Sequence, residues 1–161
     1  MNLFSTGFTA QAAHRRRAGR PHSVSGLFIT PIGHTHDPGE VRLWRGDFRT
    51  SNKQDMWEFL AADEEGLWRI KNGRDDLYLT VRDKHPKAVV YQDRWNGSHK
   101  GQLWRMVQAD PAQADVVIAS ALDERLVISP VEGCHGAETT LEVDQVGPYS
   151  DQFWRWRSPR G

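Results

Sequence analysis

The sequence predicts an all-β chain of twelve short strands arranged as three repeats. Two observations carry that reading. Tryptophans recur at Trp57, Trp104 and Trp154, spaced 47 and 50 residues apart. At and beside them the chain runs apolar, charged, apolar: Trp57-Glu58-Phe59, Trp68-Arg69-Ile70, Trp104-Arg105-Met106 and Trp154-Arg155-Trp156. That period of two belongs to a strand with one buried face, and no segment sustains the 3.6-residue apolar period of a helix.

With the tryptophans in register, EVRLWRGDFRTSNKQDMWEF and KAVVYQDRWNGSHKGQLWRM align without a gap. Leu43 then meets Val90, Trp44 meets Tyr91, Phe48 meets Trp95 and Lys53 meets Lys100. The third copy, TTLEVDQVGPYSDQFWRW, is looser but sets Asp144 beside Asp47 and Gln152 beside Gln102. Three units, roughly 5–60, 66–108 and 114–158, fill one domain over 1–161.

Taken in order, unit one offers strands at Phe8–Ala12, Gly26–Thr30, Val41–Arg45 and the Trp57 triplet. Unit two offers Leu67–Lys71, Leu77–Arg82, Ala88–Gln92 and Gln102–Val107. Unit three offers Asp115–Ser120, Arg125–Ser129, Thr140–Asp144 and Gln152–Arg157. Between them lie KNGRDD, DKHPK, RWNGSHKG, DPAQAD and VGPYSD, all rich in residues that favour turns. So many short strands must hide their edges, and closure into a barrel is the usual solution.

Composition excludes several classes. Hydrophobic residues make up 38% and charged residues 26%, as in an ordinary globular protein. A formal net charge of zero argues against a nucleic-acid partner. The single Cys134 forms no internal disulfide and no metal cluster. No apolar run reaches the roughly 20 residues of a membrane helix, so no membrane insertion is expected. The N-terminus shows no hydrophobic signal core, and the expected location is cytoplasmic or non-classically secreted. Residues 1–36 hold Arg15, Arg16, Arg17 and Arg20 and no acid, a composition also found in organellar transit segments.

The repeated Gln-x-Trp, preceded by WNG and a strand pair such as LYLTVRD, resembles the ricin B-type β-trefoil lectin family. The likeness covers nearly the whole chain and is strongest over residues 66–107; in unit one Asp55 stands at the Gln position. It implies a six-stranded barrel capped by three hairpins. It also implies that the repeated Trp packs in the shared core and that the Gln bonds a neighbouring loop. The implied function is glycan binding in shallow pockets, one per unit, each built from an Asp, a ring and an amide near the closing Trp. A pyranose lays its apolar face on a ring while its hydroxyls need donors and acceptors in plane.

Carried over by position, unit two supplies Tyr91 or Trp95 as the ring, Asn96 and Gln102 as amides, and Asp93 as a loop carboxylate. The family's Asp falls on Thr80. Unit one supplies Trp44 and Phe48, with Asp47 and Asn52 nearby, and unit three Asp144 and Tyr149. GLFIT and RLVIS also lack the Asp, so no unit keeps the full constellation. Asn96-Gly97 reads first as a turn.

Other groupings are weaker. His34, His36 and Asp37 in GHTHD lack a further metal ligand at suitable spacing, and a solvated loop is expected. HRRRAGR reads as an exposed basic loop, and Cys134-His135 does not set thiol and ring for proton transfer. No Gly-rich phosphate loop, nucleophile elbow or paired carboxylates in a recognisable setting are present. The sequence therefore predicts a non-catalytic module without cofactor or metal that binds galactose-type or related glycans or glycoproteins. The alternative is a protein-binding trefoil, such as an inhibitor of cysteine or serine proteases.

Overall fold

The computed structural model describes residues 17–22, 27–32, 36–44, 56–97, 99–108, 116–133, 136–147 and 152–157. Among them lie twelve strands, joined by turns and short 3₁₀ segments, and no α-helix. The first six are β1 (Arg17–His22), β2 (Phe28–Pro31), β3 (Gly39–Trp44), β4 (Trp57–Ala61), β5 (Trp68–Asn72) and β6 (Tyr78–Val81). The rest are β7 (Val90–Asp93), β8 (Trp104–Gln108), β9 (Val116–Ser120), β10 (Asp123–Pro130), β11 (Leu141–Gln145) and β12 (Arg155–Arg157).

Six strands close on themselves. β1 pairs with β4, β4 with β5, β5 with β8 and β8 with β9, all antiparallel. A bridge from Val116 to Trp154 carries the ladder to β12, which returns to β1. The other six form the hairpins β2–β3, β6–β7 and β10–β11. These hairpins meet one another where Gly39 and Glu40 pair with Gln92 and Tyr91, and through bridges Arg42–Thr140 and Val89–Glu142. A six-stranded barrel capped by three hairpins is a β-trefoil. Closure removes the exposed edges that twelve short strands would otherwise present.

The repeat tryptophans make the threefold plan physical. Trp57, Trp104 and Trp154 are fully buried. Their indole N–H groups donate to equivalent hairpin carbonyls: Ile29 at 3.0 Å, Leu79 at 3.0 Å and Ile128 at 3.1 Å. Each ring therefore fills the core and ties a barrel strand to its own repeat's hairpin. Around them pack Ile29, Leu43, Phe59, Ile70, Met106 and Ile118.

Two expectations change. First, the bonds to Ile29, Leu79 and Ile128 fix the equivalence of the hairpins, and cross-strand partners then place Leu43 with Gln92 and Val143. Trp44 corresponds to Asp93 and Asp144, not to Tyr91, whose equivalents are Arg42 and Glu142. The ungapped alignment was two residues out across β3. A shift of two leaves every side chain on its own face, so alternation alone cannot detect it. Second, part of HRRRAGR is not an exposed loop: Arg17–His22 is β1, paired with β4 through its first half and β12 through its second. Phe8–Ala12, expected as the first strand, lies outside the described residues.

Candidate functional site

The site is built on the loops at one end of the β6–β7 hairpin. Between β5 and β6, KNGRDD folds around Asn72, which is buried and accepts the Arg74 amide N–H through Oδ1 at 2.8 Å. This Asx turn is the local chemistry that Asn favours. Asn72 N also donates to the Leu77 carbonyl at 2.8 Å, closing the loop and leaving the Asp75 side chain 15% exposed.

Asp75 is met by two side chains. His36 Nδ1 lies 2.6 Å from Oδ1, and Arg74 Nε donates to Oδ2 at 2.9 Å. Partial burial alone raises the Asp75 carboxyl, but the hydrogen bonds from His36 and Arg74 outweigh it and hold the group below its ordinary value. Each carboxylate oxygen has a second lone pair beyond these contacts.

After β7, residues 94–97 and 99–103 hold Trp95 in a segment clamped from beneath. Gln102 Oε1 accepts the Asn96 N–H at 2.7 Å, while Nε2 donates to the Arg94 carbonyl at 2.6 Å and to Thr80 Oγ1 at 3.2 Å. His99 accepts the Gly101 N–H at 2.8 Å. Only glycine fits at 101, since a Cβ there would sit 1.9 Å from the Val81 carbonyl oxygen. The indole of Trp95 stays 40% exposed. It leans on Tyr78, with ring centroids 5.6 Å apart at 52°, and the Arg69 guanidinium lies 5.0 Å from its centroid. Together Trp95, Tyr78, Asp75, His36 and Arg94 line a cleft of about 480 Å³.

The sequence-derived candidates divide accordingly. Trp95 is in the cleft. Gln102 is not open to a ligand: it is buried, and both ends of its amide serve the loop, as Gln152 does for Gly147 and Gln145 in unit three. Asn96 is exposed, and its carbonyl accepts the His99 N–H at 2.9 Å, so it turns the chain. Asp93 faces Tyr78 across the hairpin and takes the Arg94 N–H at 2.8 Å. Tyr91 lies farther along β7, where its hydroxyl accepts Arg82 Nε at 2.8 Å.

Trp44 is half-buried beneath the Arg42 guanidinium, 4.3 Å from its ring centroid. Asp47, Phe48, Asn52 and Tyr149 lie outside the described residues. Asp144 is no free loop carboxylate: it pairs with Lys87 at 2.8 Å and takes the Gln145 N–H. Its neighbour Glu142 reaches the same lysine at 3.4 Å. Burial raises the Asp144 carboxyl, but Lys87 and the Gln145 amide outweigh that and lower it overall.

Thr80, where the resemblance places the family's Asp, is buried, as are Thr30 and Ser129 at the equivalent hairpin positions. Thr30 and Thr80 donate back to their own strands, at Phe28 and Tyr78. Neither Asp75 nor Tyr78 stood out in sequence, since one reads as a turn residue and the other as strand core. The available signal was pairing: Tyr78 opposite Asp93 puts the KNGRDD turn beside Trp95. His36, weighed with His34 and Asp37 as a metal group, turns to Asp75 instead. Among the described residues no three His, Cys, Asp or Glu side chains gather to hold a metal.

Comparisons with known proteins agree with this architecture. Among curated proteins, none matches the sequence significantly. The designed threefold-symmetric protein ThreeFoil superposes with a TM-score of 0.77 at 12% identity, covering 88% of this chain and 98% of that one. The earthworm R-type lectin C-half, solved with GalNAc, gives 0.66 at 14% identity over 88% and 98%. A ricin B-like lectin of Macrolepiota procera, solved with lactose, gives 0.71 at 14% over 89% and 96%. The model of one family matches residues 53–140, more than half of the sequence. The chain belongs to the ricin-type beta-trefoil lectin domain-like family.

Proposed function

We propose that this chain is a non-catalytic glycan-binding module for galactose-type sugars, working through the Trp95 cleft of unit two. One observation carries the reading: a half-exposed indole and a charged carboxylate, Asp75, meet in a single shallow cleft. The ring offers a flat apolar surface for one face of a pyranose. Asp75 accepts from hydroxyls, and the Arg94 guanidinium donates. Family membership supports a carbohydrate role, and the lactose and GalNAc held by two structural relatives favour the galactose series. A single open site of this kind binds weakly; millimolar dissociation corresponds to about −4 kcal/mol.

A glycan-array screen of the wild type beside Trp95→Ala and Asp75→Asn tests the reading, with folding checked by circular dichroism. Galactose-type hits that vanish in both folded variants support it. Hits that survive in both place the site elsewhere.

The competing reading is a protein-binding trefoil, such as a cysteine or serine protease inhibitor. It draws on the buried Thr30, Thr80 and Ser129, which leave no unit with a carboxylate at the family's position. Nanomolar inhibition of a papain-like protease with a silent array would select it.

A further inference from the structure

A second cleft, of about 450 Å³, opens at the other end of the same hairpin. Its lining includes Glu40, Arg82, Asp83, Val89 and Tyr91. The Arg82 guanidinium folds over Tyr91, 5.1 Å from the ring centroid, while Nε holds the hydroxyl. Glu40 pairs opposite Tyr91 in the β3–β7 ladder, so both side chains leave the same face. Val89 is 45% exposed at the lip.

The two clefts have no lining residue in common, but the same two elements contribute to both. The segment 36–40 gives His36 to the first and Gly39 and Glu40 to the second. Hairpin β6–β7 gives Tyr78 to the first and Tyr91 to the second. Along β7 the pattern is buried Val90, half-buried Tyr91, buried Gln92, half-buried Asp93, so Tyr91 and Asp93 share the outer face that leads to Trp95. β6 is buried throughout, so the path runs over β7, where the chain advances about 13 Å from Tyr91 to Trp95 at roughly 3.3 Å per residue. That exceeds one pyranose ring and suits a short linear chain of them.

We infer that the two clefts are the ends of one groove, and that the chain's ligand is a linear oligosaccharide lying along hairpin β6–β7 rather than one terminal sugar. The inference rests on the glycan reading above and extends it. The far end offers chemistry like that of the near one: a half-buried tyrosine ring edged by Arg82, Glu40 and Asp83 as acceptors, and the remaining Arg82 N–H groups as donors.

Calorimetric titration with galactose and with linear β-linked galacto-oligosaccharides of increasing length tests it. Affinity is expected to rise by about tenfold or more from the monosaccharide to the trisaccharide, one molecule binding per chain. Tyr91→Ala, and independently Glu40→Gln, are expected to pull the trisaccharide back to the affinity of galactose. Trp95→Ala is expected to abolish binding at every length. Flat affinity across the series, two galactose molecules per chain, or indifference to both far-end substitutions would overturn the groove. With binding still dependent on Trp95, flat affinity or indifferent far-end substitutions leave the single-site reading standing, whereas two galactose molecules per chain make the clefts separate sites. No binding of any member overturns both.

Discussion

The indole N–H of Trp104 donates to the carbonyl of Leu79 at 3.0 Å, from the last barrel strand of unit two to the hairpin above it. The same bond recurs in the other two units, from Trp57 to Ile29 and from Trp154 to Ile128. Replacing Trp104 by Phe keeps a ring but leaves the Leu79 carbonyl buried without its donor, a cost of about 1–3 kcal/mol. Replacing it by Ala opens a cavity and costs about 3–5 kcal/mol. Thermal melts should rank the two variants in that order. The same ranking is expected at Trp57 and Trp154.

Gln102 holds the loop that carries Trp95. Gln102→Ala strips partners from the Arg94 carbonyl and the Asn96 amide, and removes the donor to Thr80. The expected loss is about 1–3 kcal/mol, read by chemical denaturation. Because the freed loop no longer fixes the indole, glycan affinity should fall even in variant protein that is fully folded. A loss of stability with unchanged affinity would separate the clamp from the site.

Asp75 sets an acid limit. Its folded-state carboxyl lies below the ordinary value of 3.8, with burial opposed and outweighed by His36 and Arg74. A depressed carboxyl stabilises the fold above the unfolded-state pKa, and that contribution is lost as pH falls through the folded value. Wild type should therefore melt above Asp75→Asn at pH values above about 4, and the gap should close as acid protonates the carboxylate. A gap that widens with acid would contradict the pairing.

Particular residues show how much of this was legible in the sequence. Trp57, Trp104 and Trp154 disclosed the repeat, because a large ring at a buried strand position is hard to replace. The strands of units two and three followed from alternation to within a few residues. Alternation failed at β3, where a two-residue slip returns each side chain to the same face, so Trp44 was matched to Tyr91 instead of Asp93. It failed again at β1, because Arg17–His22 carries no apolar alternation and becomes a strand through pairing with β4 and β12. Trp95 was found as an aromatic just past a strand. Asp75 and His36 were not joined to it, since they come together only when the segment 36–40 of unit one runs beside β7 of unit two.

The central claim is that glycan binds at the exposed indole while the three core indoles stay untouched. Titration of ¹⁵N-labelled protein with lactose, followed through the indole Nε1 resonances in two-dimensional NMR, tests this most directly. The Trp95 signal is expected to shift progressively while those of Trp57, Trp104 and Trp154, held by Ile29, Leu79 and Ile128, stay in place. A saturating response elsewhere with Trp95 unmoved, or no response to lactose or to any array-positive glycan, would contradict it.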